Sequence, residues 1–125
     1  MGDATDNFSY WEFACRCGSK CEESDGRLVY PPFLKKIQYV RSTTNIRMEV
    51  NSGNRCPYWN KKVGGVTDSY HLLRQGCCAG DFKIMDGIDR HAITEVATKI
   101  GLSIGFNYQF LHLDDRPKDR RIFLY

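Results

Sequence analysis

Three residues carry the chemistry this sequence offers: His71 in Ser69-Tyr70-His71, Asp81 in Ala79-Gly80-Asp81, and His112 in Phe110-Leu111-His112-Leu113-Asp114. Two imidazoles and one carboxylate can hold zinc in three positions and leave a fourth free for water, the arrangement of catalytic rather than structural zinc. Water bound there loses proton affinity and becomes a hydroxide-like nucleophile near neutral pH. Each residue also has a plainer reading. His71 could be an ordinary hydrogen-bonded histidine, Asp81 a cap on the turn after Gly80, and His112 a satisfied core histidine on a strand. Asp114 speaks against the last, since on a strand it shares a face with His112 and is an awkward neighbour in a dry core. His91 lies among Asp89, Arg90 and Glu95 without such context and reads as a surface residue.

The segments around these residues narrow the chemistry. Asn51-Ser52-Gly53-Asn54-Arg55-Cys56-Pro57 is followed by Asn60 and by Val63-Gly64-Gly65-Val66-Thr67-Asp68-Ser69-Tyr70-His71. Phe8-Ser9 and Glu12-Phe13-Ala14-Cys15-Arg16-Cys17-Gly18 stand at the front, and Phe110-Leu111-His112-Leu113-Asp114-Asp115-Arg116 near the end. This order of SGxR, VGG, SxH, A-x-D and HxDxR resembles the zinc D-Ala-D-Ala carboxypeptidase family of peptidase clan MD. That clan also contains L-alanyl-D-glutamate endolysins and the hedgehog signalling domain. The resemblance runs from about Phe8 to Tyr125.

The resemblance implies one zinc ion held by His71, Asp81 and His112. It implies that Arg55 reaches toward the scissile carbonyl, where a fixed cation stabilises the oxyanion, and that Ser69 and Arg55 hold substrate. The plainer alternatives are a structural ion pair for Arg55 and a turn or strand-start hydroxyl for Ser69. Tyr70 and Tyr108 read as wall packing. Two features depart from the family pattern. Leu72 to Gly80 separate His71 from Asp81, three residues more than is common, which a loop helped by Gly76 would absorb. Gln109 stands three residues before the last histidine, where many members carry Asp or Glu, and an amide cannot take a proton from water. The proton work then falls to Asp114, with the orientation of an imidazole as its competing role.

The elements that must position these residues read as an α+β domain of the hedgehog/DD-peptidase kind, with a small antiparallel sheet carrying the zinc site and helices packed on it. Pro31 and Pro32 suit the first turn of a helix along which Leu34, Ile37 and Val40 recur at helical spacing. Ile46, Met48 and Val50 alternate with Arg47 and Glu49, as in a half-buried strand running into Ser52-Gly53. Ile88, Ala92, Ile93, Val96, Ala97 and Ile100 form a second helical stripe closed by Gly101. Phe110, His112 and Asp114 share one strand face and Leu111 and Leu113 the other, and Arg121 to Tyr125 reads as a last short strand.

Composition fits one catalytic domain over residues 1–125, with no repeat, linker or low-complexity segment. A net charge of +3 is too small and too dispersed for a nucleic-acid footprint. Arg116, Lys118, Arg120 and Arg121 cluster but alternate with Asp115 and Asp119, as on a solvated face. The apolar runs are far below the ~20 residues needed to cross a bilayer. Met1 to Tyr10 is acidic and polar where a secretory signal would be basic and then apolar, and Asp6 stands where a myristoylation motif needs Ser or Thr. The expectation is synthesis in a cytoplasm and delivery to a cell wall by lysis, by a virion or by a separate route, with the chain a monomer.

Six cysteines accompany this pattern. Cys15, Cys17 and Cys21 are bunched, Cys56 lies in the SGNRCP segment, and Cys77 and Cys78 are adjacent. Without a signal, thiols or metal thiolates are favoured over a disulfide framework. The bunch lacks the C-x2-C spacing of a zinc ribbon, which speaks against a second structural zinc, and Cys77-Cys78 suit small buried places beside Asp81. The expected function is a zinc metallopeptidase acting on peptidoglycan stem peptides, of D-Ala-D-Ala carboxypeptidase or L-Ala-D-Glu endopeptidase type, as in a phage or virus endolysin. The alternatives are a hedgehog-like binding module that keeps zinc for stability, and a redox or structural metal protein built on the cysteines.

Overall fold

The computed structural model of the chain describes residues 2–18, 21 and 25–125; Met1, at the head of the segment read for targeting signals, lies outside them. A 3-10 turn at Tyr10–Phe13 precedes helix α1 (Pro31–Thr44), strand β1 (Glu49–Ser52), helix α2 (Pro57–Lys62), strand β2 (Ala79–Lys83), helix α3 (Gly87–Lys99) and strands β3 (Ser103–Phe106), β4 (Leu111–Asp114) and β5 (Ile122–Leu124). The class is α+β, as the sequence implies.

Each element has a local cause. Pro31 and Pro32 occupy the first turn of α1, where a missing N–H has no intrahelical partner to lose. The helix ends at Asn45 in the left-handed conformation, whose N–H returns to the Arg41 carbonyl. The Asp86 side chain accepts the Asp89 N–H and caps α3, and Gly101 at φ +86° leads out of it. Ile88 departs from its expected place in the apolar stripe of α3: in the first turn it is 81% exposed, while Ile93 and Ala97 are fully buried. β1 starts at Glu49 rather than Ile46, although Met48 and Val50 are buried between exposed Arg47 and Glu49 as the alternation requires.

The strands lie in the order β1-β2-β4-β3-β5. The first three pairings are antiparallel, as expected, and β5 joins β3 in parallel, so the sheet is mixed. Helix α3 carries the chain from β2 to β3, and β4 inserts between those two strands. One sheet face, with Phe82, Ile104, Leu111 and Leu113, packs into a single core with Phe33, Leu34, Ile37 and Val40 of α1 and Ile93 and Ala97 of α3. These side chains are nearly all removed from water, and burial at this level contributes about 1.5–3 kcal/mol per large side chain.

The opposite face is where the polar residues fall. A single row across the sheet runs Ser52, Asp81, His112, Gly105 and Phe123, each paired with the next. Residues on one row of neighbouring strands project to the same side, so the register alone brings Asp81 and His112 side by side. Among the described residues no helix is long and apolar enough to cross a membrane.

Candidate functional site

His71 reaches this row from a loop. A bulge in β1 sets both Asn51 and Ser52 against Asp81 and turns the chain into Gly53-Asn54-Arg55. That segment lies beside the one carrying His71: the Arg55 N–H donates to the His71 carbonyl at 2.9 Å, and Arg55 and Leu72 form a parallel bridge. The extra length between His71 and Asp81 is taken up by a 3-10 turn at Leu73–Gln75, closed by Gly76 at φ +100°. Cys77 and Cys78 then fill buried positions before β2, as their sequence position implies.

The structure brings His71, Asp81 and His112 together, all buried, with one ligand atom from each within 4.8 Å of the others. Oδ1 of Asp81 lies 3.2 Å from Nε2 of His71 and 2.8 Å from Nδ1 of His112. The outer nitrogen of each ring is already engaged. Nδ1 of His71 lies 2.5 Å from the Gly53 carbonyl, and Nε2 of His112 lies 2.8 Å from Oδ2 of Asp114. A carbonyl can only accept, so His71 carries its hydrogen on Nδ1 and turns a lone pair inward. Asp114 is held as a carboxylate by Arg116, through contacts of 2.8 and 2.6 Å, and assigns His112 the converse tautomer.

This geometry tests whether a metal fits. Two imidazole lone pairs and a carboxylate oxygen pointing at one place repel one another unless positive charge sits among them. The donor set is the one zinc takes in open sites, and both imidazoles have the outer acceptors that orient such ligands. His71, Asp81 and His112 therefore fit a zinc ion.

The titration of the site follows the same charges. Burial dominates at His71 and holds it below the ordinary histidine value. Burial also pulls His112 down, but hydrogen bonds from the protonated ring to Asp114 and Asp81 outweigh that and hold it above, the inward proton supplying the positive charge that a metal ion would replace. At Asp81 burial is overcome by the charges and hydrogen bonds of the two imidazoles, and its carboxyl falls well below the usual carboxylate range. Asp114 is likewise pushed up by burial but brought down to about 2 by its hydrogen bonds with Arg116 and His112.

A cleft of about 700 Å³ opens over Asp81 and His112, walled by Trp59, Tyr70, Phe123 and Tyr125. Arg55, Ser69 and Gln109 also line it, whereas fully buried His71 and Asp114 do not. The Arg55 guanidinium donates to Oδ2 of Asp81 at 3.0 Å, to Oδ1 of Asn60 at 3.2 Å and to Oγ of Ser52 at 3.2 Å. Ser69 Oγ accepts the His71 N–H at 3.2 Å, so the hydroxyl supports the loop carrying His71 from the cleft wall. Tyr70 is wall, as expected. Tyr108 is not, being 96% exposed. His91 is exposed.

Sequence reasoning passed over several residues of the site. Arg116 does not belong to the solvated basic face: its side chain is largely buried, pairs with Asp114 and lies over the rings of Tyr70 and Phe123. The signal was the proximity of a strand carboxylate two residues upstream. Tyr125 stacks on His112 with ring centroids 4.5 Å apart, and nothing in a short terminal strand announces that contact. Asn60 is explained by Gly65, where a side chain would stand 2.1 Å from Asn60 Oδ1 and 2.9 Å from Arg55 Nη1.

A family model described as Peptidase M15 matches residues 6–114. A search of curated proteins gave no match. The family match covers most of the chain and includes His71, Asp81 and His112, and the chain belongs to the M15 peptidases, which are zinc-dependent.

Proposed function

We propose that this M15 peptidase hydrolyses an amide bond of a peptidoglycan stem peptide, as a D-Ala-D-Ala carboxypeptidase or an L-Ala-D-Glu endopeptidase, with a phage or virus endolysin as its setting. The observation that carries the reading is the convergence of His71 Nε2, Asp81 Oδ1 and His112 Nδ1, with Asp81 and His112 lining an open cleft and His71 buried against Asp81. These three residues would hold one zinc ion, which when bound supplies Lewis acidity and an activated water. The remaining steps belong to the chain.

Arg55 presents a fixed cation at the cleft floor, where it would stabilise negative charge developing on the scissile carbonyl oxygen. Its hydrogen bonds to Asp81, Asn60 and Ser52 fix the guanidinium before substrate arrives, so little reorganisation is needed. Ser69 offers its hydroxyl to the peptide from the wall beside it. Arg121 on the same lining supplies positive charge for a carboxylate-bearing substrate, and Trp59, Phe123 and Tyr125 supply apolar wall. Asp114 is engaged by His112 and Arg116 and stands off the cleft, which supports an orienting role over a proton-accepting one.

Incubation of the protein with purified peptidoglycan, followed by mass spectrometry of the muropeptides, tests this. Loss of a terminal D-alanine or scission between L-alanine and D-glutamate is expected. The activity should disappear, together with the zinc of this site, in His71→Ala, Asp81→Ala and His112→Ala. Unchanged muropeptides with a zinc-loaded protein would return the reading to a zinc-stabilised binding module.

A further inference from the structure

We propose that Cys15, Cys17, Cys21 and Cys56 form a second metal site, a closed tetrathiolate that takes one structural zinc ion. Their four sulfur atoms lie within 4.8 Å of one another, and Cys17 and Cys21 Sγ are 3.6 Å apart. Tetrahedral zinc with Zn–S bonds of ~2.3 Å needs sulfur pairs about 3.8 Å apart, so only a small contraction separates the cluster from that geometry. Three of the ligands come from one stretch of chain. The fourth is delivered by the fold, from the loop after β1, which is why the spacing of the first three alone does not look like a zinc ribbon.

Hydrogen bonds around the sulfurs support the assignment. The Cys56 N–H donates to Cys15 Sγ at 3.3 Å, and the Trp59 N–H donates to Cys56 Sγ at 3.4 Å. Donors aimed at sulfur suit it as an anionic ligand and fix its direction. Each of the four thiols would release one proton as its sulfur bonds the metal, with no change in oxidation state. Four protein ligands leave no open position, so the site would hold structure and not react.

What it would hold is the support of the first site. The Asn54 N–H donates to the Phe13 carbonyl at 2.9 Å, and a side chain at Gly53 would stand 2.5 Å from the Phe13 Cα. The stretch from Gly53 to Cys56 is thus pressed against the segment carrying Cys15 and Cys17. That same stretch supplies the carbonyl that orients His71 and the guanidinium that meets Asp81. This inference does not depend on which peptide bond is cut.

The test is metal content and spectroscopy of the full chain, purified under reducing conditions. About two zinc ions per wild-type chain and about one in His71→Ala are expected, the latter released in step with thiol titration by a mercurial reagent. Cobalt-loaded wild type should show intense thiolate-to-cobalt charge-transfer absorption, which a site of two imidazoles and a carboxylate cannot produce. Cys17→Ser with Cys21→Ser should remove that absorption. Absence of the thiolate absorption in cobalt-loaded wild type would overturn the proposal, as would an intact mass under non-reducing purification that shows disulfides among these four residues. Wild type holding one zinc with the thiolate absorption would keep the cysteine site and count against His71, Asp81 and His112 as ligands.

Discussion

Oδ2 of Asp114 lies 2.8 Å from Nε2 of His112, on the side of the ring away from Asp81, and both Asp114 oxygens are also bonded by Arg116. The carboxylate therefore acts on the imidazole from behind. In Asp114→Asn the amide retains an acceptor for the ring but loses the charge that pairs with Arg116 and polarises the imidazole. Zinc affinity should fall about 10- to 100-fold, as removal of such supporting partners commonly causes. Hydrolysis per zinc-loaded molecule should stay near wild type. Unchanged zinc affinity with collapsed hydrolysis, measured on the same preparation, would make Asp114 the proton acceptor instead.

Arg55→Ala should lower turnover by roughly 10²- to 10³-fold, the usual effect of removing one oxyanion donor. Zinc should remain bound, because Asp81 keeps Oδ1 turned to both imidazoles. Steady-state kinetics on a stem peptide, paired with metal analysis, checks both halves. Normal turnover in a folded variant would leave Arg55 as a structural ion pair with Asp81.

Gly105 stands beside His112 in the transverse row, and a side chain there would approach the Phe123 ring at 2.8 Å and the Tyr125 ring at 3.1 Å. Gly105→Ala should push β5 off the sheet and loosen the stack of Tyr125 on His112. A destabilisation of about 1–3 kcal/mol is expected from such overpacking. Thermal unfolding reads the stability, and near-ultraviolet circular dichroism reads the aromatic packing. An unchanged melting temperature would show that β5 contributes little to holding the site.

Burial pushes the Cys78 thiol up to about 11, with the nearby Asp114 charge adding to it. A thiol near 8.5 in the unfolded chain is thus kept protonated by the fold. The sign follows: the stabilisation is complete below about pH 8.5 and is lost as the pH rises toward 11. Iodoacetamide at pH 8 should label Cys78 far more slowly in the folded protein than in denaturant, with peptide mapping as the measurement. Equal labelling rates would mean that the Cys78 pocket opens freely.

The sequence made the grouping of His71, Asp81 and His112 in one candidate site readable because the motifs are local. Ser69-Tyr70-His71 and His112-Leu113-Asp114 state their own geometry through period-two alternation, and α1 declares itself through Pro31, Pro32 and the apolar spacing behind them. What was hidden depends on chain segments meeting from a distance. The Gly53 carbonyl acts through its backbone, so no side-chain type marks it. Tyr125 reaches His112 only because β5 returns parallel to β3. Arg116 looked like one more basic residue among Lys118 and Arg120 until β4 ended beneath it. Ile88 misled because helical periodicity does not reveal where a helix leaves its core.

The transverse row also ties the candidate metal site to how the sheet zips up. Asp81 neighbours Phe82 on β2, and His112 sits between Leu111 and Leu113 on β4. A slip of one residue in pairing would invert a strand, sending Asp81 or His112 into the apolar layer and a phenylalanine or leucine out. Only the native alignment places both side chains on one side, next to His71. An ion that binds that alignment and no other lowers its free energy relative to every misaligned sheet. Zinc would therefore act during refolding as a proofreader of strand alignment, and adding it early should raise the yield of active protein more than adding it after the chain has collapsed.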